Sequence, residues 1–569
     1  MYLAQIEEKR SGRILLTFAR SQWVNGRSVK ETVERIGYLD EFTHLYDDPI
    51  AHFKAEAKAR TAAEKAAKAK KTLMFSYADR IDAEASGAKN IGYMPLSHLY
   101  QALKIDRFML NRQRNLKIDF QLDAVMRLLV FGRILFPGSK QSTWAERDTL
   151  FERSNFELQH VYRSLDYLDR YADDLKTHLH RQVTALYGRH TEQVYYDVTN
   201  YYFHTDEEDL LRRKGVSKEQ RRKPIVQMGL LMDQAGLPIT YKLFSGNTND
   251  CLTLMPILQE LRQDYQVGRF IVVADRGLNT SNNVGMAVAK GDGYVYGQSI
   301  RKGSQAFQAY ALDPSGFRAF GATDSGFKIK SRLEPRTLRF VDEHDNVVRI
   351  AVDEKQVIFY SPKYAARDKQ KRAELLEKAH QLMQAPSKYD AATDNGARRY
   401  IKNFKVDRKT GVVLDGQVSL YLDEARIKAE EQYDGYYSIV SSEYERSDSE
   451  ILELYKGLWK IEETFKITKS ELETRPIHVW TKEHINAHFL TCFVSLLLLR
   501  LVERETKYQY PLCQLIETMK RMNGMLMGGG DYVFGYYTKV SEALGEAFGI
   551  DYSLKYRHQS EIKQLRKPR

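Results

Sequence analysis

A short apolar run that stops at an acidic residue constrains the fold of this chain more than any other feature. Residues 270–274 read FIVVA, and Asp275, Arg276 and Gly277 follow at once. A continuous apolar run of this length is typical of a strand that is buried on both faces of a sheet. Ligands of such sheets bind beyond the carboxyl ends of the strands. The run therefore predicts an α/β core and puts Asp275 at an edge where a site could form.

A second acidic residue, Asp197, stands inside a predicted strand. The stretch QVYYDVTNYYF, residues 193–203, surrounds it with Tyr, Val and Phe. Aspartate is depleted from strands because a charge fits a half-buried pleated surface badly, so a cation is the partner that would make it tolerable. Because side chains alternate along a strand, Tyr195, Thr199 and Tyr201 should share the side of Asp197 and line the approach to a site. The side chains on the other side should pack into the opposite layer; they are Val194, Tyr196 and Val198.

The segment 447–472, SDSEILELYKGLWKIEETFKITKSEL, predicts one long helix with two different faces. Ser447 and Glu450 form a capping box that fixes its start. An apolar stripe would face the core; its residues are Leu454, Leu458, Ile461, Phe465 and Leu472. A second stripe, of mixed aromatic, acidic and basic residues, would face a partner or, alternatively, only solvent. Its residues are Tyr455, Trp459, Glu462, Lys466 and Lys469. Gly457 costs about 1 kcal/mol of helix propensity, which indicates close packing or a closely approaching partner.

Asp197, Asp275 and Glu462 together suggest a metal site. Three carboxylates on two strands and a following helix are the hard oxygen ligands that two divalent ions about 3.5 to 4 Å apart require. Taken singly, either aspartate could equally be a turn former or a helix cap.

The order of hydrophobic patterns predicts several domains in the 569 residues. Short strands with the turn signals RSG and NG open the chain, a basic helix spans 54–71, and helical spacing continues to about 190. Strands and one helix then alternate as in an α/β domain, and strand-like runs return between 300 and 432. The predicted parts are a basic β-hairpin region (1–48), a helical domain rich in Arg, Lys and Tyr (49–190), an α/β core (191–300 and 433–480), a β-rich insertion (301–432) and a helical C-terminal region (481–569).

Charge and cysteine usage narrow the possible classes. The chain carries 87 Lys and Arg against 75 Asp and Glu, a net charge of +12, which favours a polyanionic partner, although a merely soluble basic enzyme would also fit. Its three cysteines, Cys251, Cys492 and Cys513, are scattered, which predicts buried thiols in a reducing cytoplasm. The apolar run 489–502 is short and contains Arg500, so we expect a core helix and no membrane span.

The motifs together resemble a known family. Tyr455, Leu458, Glu462 and Lys469 follow the spacing of the Tyr-Arg-Glu-Lys signature of bacterial DDE transposases of the insertion-sequence-four superfamily. The segments ERIGYLDE, YYDVTNYYF, VVADRGLN and LWKIEETFKITKSEL are most similar to the insertion-sequence-sixteen-thirty-four group. This resemblance implies a ribonuclease-H-like catalytic core with a β-rich insertion, flanked by helical N- and C-terminal domains.

The resemblance also implies roles for single residues. Asp197, Asp275 and Glu462 would be the DDE triad that binds two Mg²⁺ or Mn²⁺ ions. Tyr455 and Lys469 would hold phosphates of the transposon end, and Trp459 could stack on distorted DNA. Arg276 could reach a phosphate or only pair with a carboxylate. One departure stands out, because Leu458 occupies the position of the family arginine; Lys456, Lys460 or Lys466 could replace that cation, and Lys466 is favoured because it lies on the face of Glu462.

The function implied is that of a DNA transposase. It would bind the terminal inverted repeats of an insertion sequence, cleave the DNA at the element ends and join the 3′-hydroxyls to target DNA, acting as a homodimer on double-stranded DNA in the bacterial cytoplasm, associated with the nucleoid when bound. The alternatives are a ribonuclease-H-like nuclease without strand transfer and a catalytically inactive, transposase-derived DNA-binding regulator. A tyrosine recombinase is disfavoured, because with 36 tyrosines no single one is informative.

Overall fold

The computed structural model describes residues 1–8, 12–24, 27–67, 80, 87–216, 223–265, 267–321, 326–384, 396–402 and 421–567. The chain separates into two compact units, Met1–Ala85 and Ser86–Arg569. Residues 10–11 of the predicted turn signal RSG (10–12), the turn signal NG (25–26) and residues 68–71 of the predicted basic helix lie outside the described residues.

The first unit is a three-stranded antiparallel sheet with a helix packed on it. Its elements are β1 (Tyr2–Glu7), β2 (Ile14–Val24), β3 (Arg27–Tyr38), α1 (Leu39–Phe42) and α2 (Pro49–Ala67). The strands pair in the order β1-β2-β3, which confirms the hairpin pattern. Leu16 and Phe18 of β2 form a small core with Phe53 and Ala57 of α2. Lys54 and Lys58 of α2 are exposed.

A helical segment opens the second unit, as the spacing predicts. Its elements are β4 (Ala88–Asn90), α3 (Met94–Ala102), α4 (Ile105–Gln113), α5 (Leu122–Leu135), α6 (Lys140–Ala145), α7 (Leu158–Arg170) and α8 (Ala172–Tyr187). Helix α5 ends just before Pro137, which cannot continue it. Helix α8 ends at Gly188, whose φ of 63° is the left-handed conformation that favours glycine.

A nine-stranded mixed sheet follows and forms the centre of the second unit. Its first elements are β5 (Gln193–Tyr202), β6 (Ile225–Asp233), β7 (Pro238–Ser245), α9 (Leu254–Tyr265), β8 (Ile271–Ala274), α10 (Ser281–Ala289) and β9 (Gly293–Gln298). β5, β6 and β7 form an antiparallel meander, β8 lies parallel to β5 on its other side, and β9 lies parallel to β8. The apolar run at 270–274 is fully buried, which confirms the predicted strand.

The segment after β9 adds strands to the same sheet. Its elements are α11 (Gln305–Leu312), β10 (Arg318–Ala319), β11 (Lys328–Val341), β12 (Val347–Tyr360), α12 (Pro362–Gln384), β13 (Ile401–Lys402), β14 (Tyr421–Leu422), α13 (Glu424–Glu431) and β15 (Tyr436–Ser441). The full sheet order is β10-β11-β12-β15-β9-β8-β5-β6-β7. The strand-like runs predicted between 300 and 432 are therefore strands, and the long ones extend the central sheet. The domain boundaries drawn from the sequence stay predictions.

The predicted long helix at 447–472 is two helices, so a single continuous helix is wrong. They are α14 (Asp448–Lys456) and α15 (Trp459–Ser470), which meet at Gly457 and Leu458. The predicted capping box is confirmed, because the Ser447 amide donates to the Glu450 carboxylate at 2.8 Å and the Glu450 amide donates to Ser447 Oγ at 3.3 Å. The break does not disturb the two faces: the apolar stripe is buried or half-buried.

The C-terminal part contains a small sheet besides the predicted helices. Its elements are α16 (Lys482–Glu505), α17 (Leu512–Arg521), β16 (Asn523–Gly528), β17 (Asp531–Phe534), α18 (Lys539–Phe548), β18 (Tyr556–His558) and α19 (Gln559–Leu565). The strands pair in the order β18-β17-β16-β4, so β4, at the start of the second unit, pairs with a strand near its end. Helix α16 is long and apolar enough to cross a membrane, but 94% of its apolar stretch is buried inside the protein, as expected of a core helix.

Two separate hydrophobic cores cover the two faces of the central sheet. On one face, Val194, Tyr196 and Val198 pack with α9 and α10. On the other, Tyr195 and Tyr201 pack with α14, α15, α16 and the helices before β5. The alternation predicted for β5 is confirmed by this division.

An ion-pair network joins α16 to α15 inside the second core. Buried Arg500 of α16 donates to the Glu503 carboxylate at 2.8 Å, to the Glu463 carboxylate at 3.2 Å and to Thr464 Oγ1 at 2.8 Å. Glu463 and Thr464 belong to α15, so the guanidinium fixes the position of that helix on the core. Removing one partner of a buried ion pair leaves the other charge uncompensated, which is far more costly than removing both.

We predict that Arg500→Ala lowers the free energy of unfolding by about 3–5 kcal/mol, because Glu503 would keep a buried charge without its partner. The double variant Arg500→Met with Glu503→Leu should lie close to the wild type, because it removes both charges and fills the space. Urea unfolding followed by circular dichroism measures both. A cost below about 1 kcal/mol for Arg500→Ala would mean that the pair behaves like an exposed one.

Candidate active site

One strand pairing brings the two aspartates to the same part of the sheet. β5 and β8 are parallel neighbours, and the last residues in their register are Tyr196 opposite Ala274. Asp197 is the next residue of β5, and Asp275 is the first residue after the end of β8. Asp197 is half-buried and accepts a 2.8 Å hydrogen bond from the Val198 amide, whereas Asp275 is exposed. The sheet thus presents two carboxylates at one edge, as the sequence predicts.

The side chains that share a face with Asp197 do not line an open approach, so that expectation is wrong. Tyr195, Thr199 and Tyr201 are all buried. The Tyr201 hydroxyl shares a 2.8 Å hydrogen bond with Thr468 Oγ1 of α15. These residues form the floor on which α15 rests, because the helix covers this face of the strand.

Close contact at Gly457 determines where Glu462 lies. A Cβ atom at Gly457 would lie only 1.9 Å from the Tyr195 hydroxyl oxygen, so only glycine fits above that ring. Burial raises the pKa of Tyr195 to about 12, so the hydroxyl stays neutral in this contact. The chain therefore packs directly against the end of the Tyr195 side chain and starts α15 immediately afterwards, with Glu462 exposed in its first turn. This explains the glycine that the sequence shows inside a helical pattern.

Tyr455 lies between the acidic residues. Its hydroxyl donates a 3.3 Å hydrogen bond to Asp275 Oδ1. Burial raises the pKa of Tyr455 well above its usual value, and the negative charges of Asp275 and Glu462 raise it further, so the phenol remains a hydrogen-bond donor. Gly297 packs against the same hydroxyl, since a Cβ atom there would lie 2.5 Å from its oxygen.

All three predicted acids line one cavity of ≈600 Å³. Tyr455, Trp459 and Leu458 also line it, and Trp459 is 56% exposed. Four carboxylates line this cavity against two cations, so it is acidic. The carboxylates are Asp197, Asp275, Glu453 and Glu462, and the cations are Arg367 and Lys456.

Three residues predicted to bind DNA lie outside this cavity. Lys466 is exposed on α15, and Lys469 lies with its Nζ 5.9 Å from the centre of the Tyr201 ring. Arg276 lines a neighbouring cavity of ≈320 Å³ together with Arg301 and Lys371. Their roles in DNA binding, like those of Tyr455 and Trp459, stay predictions.

The sequence does not indicate one wall of the cavity. This wall contains Phe327, Phe359, Tyr364, Arg367 and Tyr437, which come from β11, β12, α12 and β15 or the residues just before them. Phe327, Phe359 and Tyr437 form a cross-strand ladder with ring centres 5.7 Å apart at each step. Aromatic residues at strand positions are an expected core signal, and only the pairing of β12 with β15 brings them to the acids.

The donor set suits a hard divalent cation. The acids that line the cavity supply oxygen ligands alone, the type that Mg²⁺ and Mn²⁺ prefer. Within the described residues, no group of three or more His, Cys, Asp or Glu side chains is close enough together to hold an ion. The paired aspartates and Glu462 therefore face the same space without forming a closed three-ligand cage.

We predict that Gly457→Ala destabilises the protein by about 1–3 kcal/mol, because the added methyl group forces Tyr195 or α15 to move. Thermal unfolding measures the effect. Gly268→Ala is the matched control, because a Cβ atom there meets nothing within 4 Å. Equal stability of the two variants would show that α15 does not depend on this contact.

Comparison with known proteins supplies the family. The model of the transposase DDE domain matches residues 196–498, which include the two aspartates and Glu462. No curated protein matches the chain. One solved structure that matches is the cryo-EM structure of the piggyBac transposase synaptic complex with hairpin DNA, with a TM-score of 0.34 and 7% identity over 76% of this chain and 78% of that chain. The matched domain spans more than half of the sequence, and the chain belongs to the DDE transposase family.

Proposed function

We propose that this protein is a DNA transposase that binds the terminal inverted repeats of an insertion sequence, cleaves at the element ends and joins the 3′-hydroxyls to target DNA. The observation that carries the proposal is the cavity that Asp197, Asp275 and Glu462 line together inside the matched family domain; the two aspartates directly follow the last paired residues of β5 and β8. The same residues support a DDE triad. The signature around Tyr455 and Glu462 further supports membership of the insertion-sequence-four superfamily and, within it, the insertion-sequence-sixteen-thirty-four group.

We assign the catalytic core to the ribonuclease-H-like class. The support is the antiparallel meander β5-β6-β7 continued by the parallel strands β8 and β9, with the acids at the end of the parallel pair. Helices cover both faces of this part of the sheet, as an α/β core requires.

DDE transposases generally use divalent metal ions. We propose that Asp197, Asp275 and Glu462 hold two ions, Mg²⁺ or Mn²⁺, which when bound supply the activated water or hydroxyl and stabilise the leaving oxygen. The residues of the chain bind and orient the DNA around them. Tyr455 keeps its proton and orients Asp275 through their hydrogen bond. Trp459 projects an exposed ring at the mouth of the cavity, where an unstacked base could stack on it.

The remaining surfaces suit DNA binding. Lys54 and Lys58 are exposed one turn apart on α2, and the net charge of +12 favours the phosphate backbone. We propose that the first unit and the helical segment read the inverted repeats. Two element ends must be held together, so we propose a homodimer on DNA, in the bacterial cytoplasm and associated with the nucleoid.

We predict that Asp197→Asn abolishes strand transfer, with a loss of about 1,000-fold or more, because a carboxylate is exchanged for a weaker neutral ligand. The assay uses pre-cut DNA ends from the sequence that flanks the gene, Mg²⁺ and a target plasmid. Glu453→Gln is the matched control, because Glu453 lines the same cavity but pairs with Lys456 at 2.7 Å; it should retain activity within about twofold.

The same assay separates the proposal from its rivals. Hydrolysis without joined product would identify a nuclease without strand transfer. Excision that survives Asp197→Asn would favour a DNA-binding regulator whose carboxylates have no catalytic role.

A further inference from the structure

The family signature places an arginine where this chain has Leu458, and the neighbouring lysines do not supply the missing cation. Lys456 pairs with the Glu453 carboxylate at 2.7 Å. Lys460 donates a 2.7 Å hydrogen bond to the Gln234 carbonyl, away from the acids. Lys466 is exposed on α15 and does not line the cavity. A replacement must therefore come from outside α14 and α15.

Arg367 of α12 lines the cavity on the wall formed by the segment after β9. Its Nη2 donates a 2.7 Å hydrogen bond to the Tyr437 hydroxyl, and its guanidinium lies 4.7 Å from the centre of the Tyr364 ring. The Tyr437 hydroxyl in turn donates to Asp368 at 3.3 Å. The guanidinium is thus held in one orientation by a phenol and a ring.

Those contacts leave most N–H donors of the Arg367 guanidinium available for a ligand. A guanidinium has five N–H donors, and within the described residues Arg367 makes one hydrogen bond, to a neutral oxygen. The other cation of the cavity, Lys456, already has a carboxylate partner. A planar group with several remaining donors suits two oxygens of one phosphate.

The Tyr437 side chain that accepts the hydrogen bond from Arg367 is itself held by stacked aromatic rings. Tyr437 stacks on Phe359, and Phe359 stacks on Phe327, each across neighbouring strands of the central sheet. Tyr364 packs edge-on against Tyr437 with ring centres 5.1 Å apart. The hydrogen-bond partner of Arg367 is consequently built on the same sheet that carries Asp197 and Asp275.

We propose that Arg367 binds a phosphate of the DNA strand held at the acids and so replaces, from another helix, the arginine absent at Leu458. This inference rests on the proposed function for the identity of the ligand. It assigns the segment after β9 a direct part in positioning DNA at the site.

The test compares four variants: Arg367→Ala, Arg367→Lys, Arg367→Ala with Leu458→Arg, and the control Lys369→Ala. Lys369 is exposed on the same helix and lies outside both cavities described above, so its loss removes an equal charge without the proposed contact. Cleavage is measured on a short duplex carrying the end sequence that flanks the gene. Binding of the same duplex is measured against salt concentration in an Asp197→Asn background, where no chemistry interferes.

Arg367→Ala should reduce cleavage about 10- to 100-fold, as expected for one hydrogen-bonded charge pair. Its plot of log affinity against log salt should lose about 0.9 in slope, whereas the slope for Lys369→Ala should change less. Arg367→Lys should keep the slope but recover cleavage only in part, because a single ammonium cannot make the paired contact. Placing arginine at position 458 should restore most of the cleavage lost in Arg367→Ala.

Two results would overturn the proposal: equal effects of Arg367→Ala and Lys369→Ala in both assays, or a cleavage defect that leaves the slope unchanged and is not restored by Leu458→Arg. If the wild type binds the duplex without cleaving it, the proposed function fails, and the slope still decides whether Arg367 contacts a phosphate.

Discussion

The parallel pairing of β5 with β8 is the contact on which the site depends. Its register ends with Tyr196 opposite Ala274, and the residues that follow, Asp197 and Asp275, line the same cavity. Both carboxylates line the same cavity, where like charges repel each other, and Asp197 is half-buried. The folding energy of two hydrophobic layers holds them there, since the strands that carry them are buried on both faces. A fold that keeps like charges together in this way favours the binding of a cation between them.

Packing, rather than the sequence of the helix, determines where the third acid lies. Gly457 admits the Tyr195 ring against the backbone, and buried Arg500 ties α15 to α16 through Glu463 and Thr464. The first contact fixes the distance between the helix and β5, and the second fixes the helix along its length. Glu463, which accepts a hydrogen bond from Arg500, is the neighbour of Glu462 on α15. The contact that holds Glu463 therefore also positions Glu462, which lines the cavity.

Local patterns predicted much of this arrangement. The apolar run at 270–274, the alternation around Asp197 and the capping box at Ser447 are each specified by residues a few positions apart, and each is confirmed. The sequence could not predict the break at Gly457, because it arises from a ring on a distant strand. It likewise predicted that Tyr195 and Tyr201 line an open approach, whereas α15 covers them. Arg367 carried no local signal, because it reaches the cavity only through the pairing of β12 with β15.

The position of β15 explains why the segment after β9 belongs to the site. β15 lies between β9 and β12 and pairs antiparallel with both, so it joins the strands near the acids to those of the added segment. Tyr437 on β15 stacks on Phe359 of β12 and accepts the hydrogen bond from Arg367. A separate subdomain on a hinge could move away from the acids, whereas strands that share backbone hydrogen bonds with β9 cannot do so without breaking the sheet. The part of the cavity wall built on β12 and β15 is therefore held in place by the sheet that leads to the acids, as the DNA contact proposed for Arg367 requires.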